Sequence, residues 1–180
     1  EHAKKVFESS KYAAQDSKTN QVTENIELKT KMEVLFEGVD LNKYFITNNT
    51  TVDLSQIKES FCFLLVGHWM QGEYGHDRKN IGYTVKTFLE TFKNRQKPPA
   101  LILKTMQVGS SILDREAILK KIDTIRSSVK GKLPNIYLLH GELSDLEINH
   151  LYNDPKIKAM VSHTKGEGFG RPLLEFSLTG

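Results

Sequence analysis

The chain has 180 residues, 38% of them hydrophobic and 26% charged, with a formal net charge of +3. This is the size and composition of a globular protein of one domain or a little more. The mild charge admits a small anionic ligand but does not make the basic stripe expected of a nucleic-acid binder, and no apolar run reaches the ~20 residues of a membrane span.

In chain order, Ala3, Val6, Phe7 and Ala14 recur among Lys and Glu, which predicts an amphipathic helix over 1–14. The polar run Gln15–Glu27 reads as a loop, and Lys31–Phe36 alternates as a strand ended by Glu37-Gly-Val-Asp40. Asn48-Asn-Thr-Thr51 and the stretch Asp53–Ser60 read as a linker. From Phe61 the rhythm becomes regular. Phe61–Gly67 is a continuous apolar run of strand length, as a strand buried on both faces requires. Cys62 lies within it and reads as a core thiol, and one cysteine permits no disulfide within the chain. A long polar loop, 68–80, precedes a helix carrying Ile81, Val85, Phe88, Leu89 and Phe92. Ala100–Lys104 is a second strand. Asp114 is placed to cap a helix carrying Ile118, Ile122, Ile125 and Val129, closed by Gly131 and Pro134. Ile136–Leu139 is a third strand. Ser144-Asp-Leu-Glu147 is a capping box opening a short helix, which Asp154-Pro155 ends. Ile157–Val161 is a fourth strand.

Four strand–helix repeats predict an α/β fold with a doubly wound, parallel, Rossmann-like sheet. Ligands of such sheets bind beyond the carboxyl ends of the strands. The loops at 68–80, 104–111, 140–143 and 162–170 all fall on that edge, so a site is expected there. The last of them is the most distinctive. Lys165-Gly-Glu-Gly-Phe-Gly-Arg-Pro-Leu-Leu-Glu175 places three glycines between a strand and a helix, with Glu167 among them and Glu175 after them. Glycines allow close backbone approach, and amides at a helix start favour anionic groups. On a helix by itself, Glu175 would read as an ordinary surface carboxylate, and Arg78 and Lys79 as a solvated helix start. Cations at a helix start oppose its dipole, however, and so call for a reason. His140, His150 and His163 lack metal-ligand spacing; His163, directly after the fourth strand, is placed where it could line a pocket.

Strand, then Glu167-Gly-Phe-Gly-Arg-Pro-Leu-Leu-Glu175, resembles the E-x7-E signature of retaining glycosyltransferases of the GT-B fold, in the family-4 (group 1) type. Phe36-Glu-Gly-Val-Asp-Leu-Asn-Lys-Tyr-Phe45 is similar to the segment where the acceptor-side lobe passes to the donor-side lobe. Arg78-Lys79-Asn80 is similar to a basic dipeptide at the first helix of the second lobe. The resemblance implies a tail of the first lobe at 1–40, an interlobe linker at 41–60 and a donor lobe at 61–180. It implies a longer protein, in keeping with an opening on charged residues and an end at Ser177-Leu-Thr-Gly180. It further implies that Glu167 binds the hydroxyls of the donor sugar and Glu175 the ribose. Gly168, Phe169 and Gly170 would meet the diphosphate with their amides. Lys79 or Arg78 would neutralise the departing diphosphate, with Lys104 a further choice, and Gly67 would open the phosphate-binding turn. No metal or other cofactor is expected. The donor would be a UDP-, GDP- or ADP-sugar, and the acceptor, whether carbohydrate, lipid or protein, is left open. Two positions depart from the pattern: His68 stands where an arginine is usual, and Lys104-Thr-Met-Gln107 where G-x-G is common. A phosphorylase, a sugar-nucleotide epimerase or a non-catalytic binding module would use the same fold. A cytoplasmic location is expected, and exposed sheet edges make self-association conceivable.

Overall fold

The computed structural model describes residues 12–26, 33, 35–70 and 74–180. The chain divides into two units, Glu1–Gly38 and Val39–Gly180.

In the first unit, β1 (Tyr12–Gln15) and β2 (Val22–Ile26) pair antiparallel, with Tyr12 opposite Ile26 and a register shift between Ala14 and Gln15. This corrects the sequence reading at both ends. Residues 12–14 are strand rather than helix, and the polar run from Gln15 contains a second strand. The turn between them is made by Asp16, whose carboxylate accepts the amides of Lys18 (2.9 Å) and Thr19 (2.7 Å), with Asn20 at φ 57°. Asx turns of this kind fold a polar segment back on itself without any apolar pattern. The remainder of the expected helix, residues 1–11, lies outside the described residues, as do Lys31, Met32 and Val34 of the expected strand. Glu33, Leu35 and Phe36 are not in a strand.

The second unit is built on four parallel strands in the order β5-β4-β3-β6: β3 (Cys62–Val66), β4 (Ala100–Lys104), β5 (Ile136–Leu139) and β6 (Ile157–Met160). Four helices connect or follow them: α1 (Ile81–Phe92), α2 (Ile112–Ser127), α3 (Asp145–Tyr152) and α4 (Arg171–Ser177). The apolar runs of β3 and β4 divide by alternate residues, because successive side chains of a strand point to opposite faces. Leu65, Leu101 and Leu103 pack with α1 and α2 through Ile81, Val85, Leu89, Ile118 and Ile122. Cys62, Leu64, Ala100 and Ile102 pack on the other face with Leu151 and Tyr152 of α3, and with Tyr44, Leu54 and Ile57. Cys62 is fully buried, and burial first, then the Glu59 charge, pushes its thiol up to about 11. It is an inert core residue.

The segment 39–60 is tied to this second face by side chains that satisfy its backbone. Asn149 accepts the Phe45 amide at 3.0 Å, Asn153 the Thr47 amide at 2.9 Å, and Lys156 donates to the carbonyls of Leu54 and Ile57, each at 2.7 Å. The capping box of α3 is present as read from the sequence. The cap of α2 is not: Ser111 caps it, accepting the Asp114 amide at 3.1 Å, and Asp114 sits three positions inside. Its carboxylate is engaged elsewhere, as described below.

The strand order places the change of winding between β3 and β6. The first three strands grow in one direction, and the chain then crosses to the other side of β3. The loops leaving β3 and β6 therefore part at one crevice, the usual ligand position of doubly wound sheets.

Candidate functional site at the carboxyl edge of the sheet

The loops after β3 and β6 are laced together across this crevice. The Lys165 amide donates to the Arg78 carbonyl at 3.0 Å, and the Thr164 hydroxyl to the same oxygen at 3.3 Å. Arg78 Nη1 donates to the Gly166 carbonyl at 2.5 Å and lies 3.5 Å from Glu167 Oε2. Lys79 Nζ donates to both carboxylate oxygens of Glu167, at 2.5 and 2.7 Å. Lys79 and Glu167 are largely withdrawn from solvent, with side chains 16% and 20% exposed, whereas Arg78 is 62% exposed. Burial raises the Glu167 pKa, but the Lys79 hydrogen bond and charge, with Thr164 and Arg78, outweigh it and hold the carboxyl below its ordinary range.

Beside this pair opens a cavity of about 320 Å³, lined by Gly67 and His68 after β3, Lys79, Lys104–Met106 at the end of β4, Glu142 and Leu143 after β5, and Pro172 of α4. It lies on the edge where the sequence places a site, and it has the volume of a small-molecule pocket. A larger hollow of about 550 Å³ lies at the opposite, amino edge, between Phe61, Phe63, Phe92 and Pro98-Pro99. Three phenylalanines and two prolines make up much of its wall, and its carboxylate, Glu59, is already bonded to Asn135 and Tyr137. The smaller cavity, with convergent charged groups and two backbone turns, is the better candidate for chemistry.

Of the residues singled out in the sequence, Gly67, Lys79 and Lys104 line this cavity, and Glu167 adjoins it through Lys79. Gly67 lies against the Lys79 stem, where a Cβ would make ordinary contact at 3.6 Å. Lys104 is 8% exposed and donates to the Gly141 carbonyl; burial lowers its pKa, against the opposing charge of Glu142. Gly168 and Phe169 are exposed on the loop, and Gly170, at φ 83°, turns the chain into α4. A left-handed residue at that point suits glycine.

Arg78, His163 and Glu175 are not among the residues that line the cavity. Arg78 clamps the loop after β6 and does not line the cavity. His163 Nδ1 is 3.1 Å from the Thr84 hydroxyl, and its ring packs edge-on against Tyr83 of α1. Glu175 is 6% exposed, ion-paired with Arg171 at 3.2 Å and 3.4 Å from the Tyr152 hydroxyl. Burial first, then the charges of Glu175 and Asp145, pushes the Tyr44 hydroxyl of this second-face cluster up to about 12.

Sequence reasoning missed two features. Glu142, Thr105 and Met106 line the cavity although only their loops were placed there. The wall behind the β4 loop is held by Asp114, which accepts the Gln107 amide at 3.0 Å and pairs with His140 Nε2 at 2.8 Å. Burial raises the Asp114 pKa, but the Gln107 amide and His140 outweigh it and the carboxyl stays below its ordinary value. The position of His140 directly after β5 was the available signal.

No protein-family model and no curated protein matches the sequence. Among solved structures, the C-terminal domain of a glycosyl transferase group 1 family protein, LpcC, from Francisella tularensis is similar. Its TM-score is 0.52 at 14% sequence identity, over 79% of this chain and 67% of that one. At this identity the likeness is one of fold: an α/β domain with a four-stranded parallel sheet flanked by helices.

Proposed function

We propose that this chain binds the donor of a glycosyltransferase, a nucleoside diphosphate sugar whose hexose passes to an acceptor with retention at the anomeric carbon. The observation that carries the reading is the cavity at the carboxyl edge of β3–β5, with Lys79 and Glu167 joined at its switch-point end. The fold shared with a group 1 glycosyltransferase domain and the Glu167…Glu175 pattern support it.

In this reading the Lys79 ammonium receives the diphosphate. Negative charge grows on that group as the bond to the sugar breaks, and a fixed cation in a partly desolvated cavity stabilises it. Lys79 exchanges one of its bonds to Glu167 for a phosphate oxygen, and the carboxylate so released accepts sugar hydroxyls. Gly168 and Phe169 are exposed, their amides are the groups that meet the phosphates, and Arg78 holds their loop in place. Glu175 is the ribose ligand; to reach it, the carboxylate gives up its contact with Tyr152, which at 3.4 Å is long for an O–H···O bond. Calorimetric titration with UDP, GDP and ADP tests the proposal. Binding of at least one is expected, and a folded sample that binds none of the three overturns it.

A further inference from the structure

The cavity has two chemically different ends. At the crevice between β3 and β6 stand Lys79 and its partner Glu167. At the far end, over β4 and β5, stand Lys104 and Glu142. A nucleotide laid along this edge with its diphosphate at the first strand–helix turn places its base at the far end. There the buried ammonium of Lys104 is held by the Gly141 carbonyl, and the next residue presents the exposed carboxylate of Glu142 close enough for its charge to act on Lys104. A carboxylate and a buried ammonium thus line the same end of the cavity.

Resting on the nucleotide-sugar reading, we infer that Lys104 and Glu142 select guanine, so that the donor is a GDP-sugar. Guanine carries two adjacent donors, N1–H and the N2 amine, which a carboxylate can accept in parallel, and beside them the O6 acceptor for a lysine. Adenine offers one donor to the carboxylate and turns the N1 lone pair towards its second oxygen. Uracil offers one donor, N3–H, flanked by carbonyl oxygens that repel the carboxylate. Parallel bonds to a charged acceptor are among the stronger polar contacts, and a matched bidentate pair discriminates between bases. Thr105 and Met106 line the same wall, and Gln107 backs it through its amide bond to Asp114.

The test is calorimetric titration of the chain with GDP, IDP, ADP and UDP, repeated with Glu142→Gln, whose exposed position lets circular dichroism verify the fold. GDP is expected to bind about tenfold or more tightly than ADP and UDP. IDP, which lacks the N2 amine, should fall between, and Glu142→Gln should bring GDP down to the level of the others. If ADP or UDP binds as tightly as GDP, or if Glu142→Gln keeps the preference, the guanine assignment is overturned while the nucleotide-sugar reading stands. If none of the nucleotides binds, the nucleotide-sugar reading itself falls.

Discussion

The Lys79–Glu167 pair joins loops 88 residues apart in the chain, and a double-mutant cycle measures what it contributes. Lys79→Met retains an unbranched stem of similar length and removes the ammonium; Glu167→Gln retains the shape and removes the charge. With both side chains about four-fifths withdrawn from solvent, a charge-assisted bond is worth about 1.5–3 kcal/mol. Arg78 at 3.5 Å and the Thr164 hydroxyl still serve Glu167 when Lys79 is gone, which points to the lower end, about 1.5 kcal/mol. For a chain of this size that is a fall in Tm of about 3–6 °C for either single variant. The double variant should cost less than the sum of the two by about 1.5 kcal/mol, because neither change then leaves a partner unpaired. Urea titration followed by the fluorescence of Trp69, the single tryptophan and 3% exposed, reads each stability. The Glu167 pKa is depressed in the folded state, so the coupling is complete above the unfolded carboxyl value of about 4.3 and disappears as pH falls through the folded one. Single-variant costs that add to within about 0.5 kcal/mol at pH 7 would refute the pairing.

Two further outcomes test other parts of the structure. Gly131 has φ 117°, and a Cβ there would lie 2.8 Å from Asn94 Oδ1, which accepts the Lys132 amide; Gly131→Ala should therefore cost about 1–3 kcal/mol in urea titration. Gly109→Ala, with nothing within 4 Å and no positive φ, is the matched control and should be near neutral. Asp114 has a depressed pKa, so its stabilisation is present above about pH 4 and lost as pH falls through the folded value. Asp114→Asn should flatten the acid limb of the stability–pH curve, and an unchanged slope below about pH 4 would count against the Gln107–His140 contacts as its cause.

The four strands of the sheet were legible because each is a short, bounded apolar run, and Leu64 and Leu65 fill opposite faces as such a run must. The Ser144–Glu147 box was legible because its two bonds are local. The β1–β2 hairpin was not. Its second strand, Val-Thr-Glu-Asn-Ile, lacks alternation, and the signal for it was the Asx chemistry of Asp16. Lys79 could be ranked above Arg78 only from the fold, since both sit in one polar loop and the crossing of β6 decides which side chain faces the cavity. The orientation of Glu175 was likewise illegible, being decided by Tyr152 and Arg171 on neighbouring turns.

The lacing of the loops after β3 and β6 also makes the site a sensor of complete assembly. β3, β4 and β5 can each dock against a strand adjacent in sequence, whereas β6 must return past both others to reach β3. Closing so long a loop costs entropy that only its finished contacts repay, which slows such pairings. A chain with three strands in place would already own Lys104, Glu142 and the β4 wall, yet Lys79 would face water without Glu167. Under the proposed function, a ligand that grips Lys79 and the loop after β6 together would hold the last strand in the sheet.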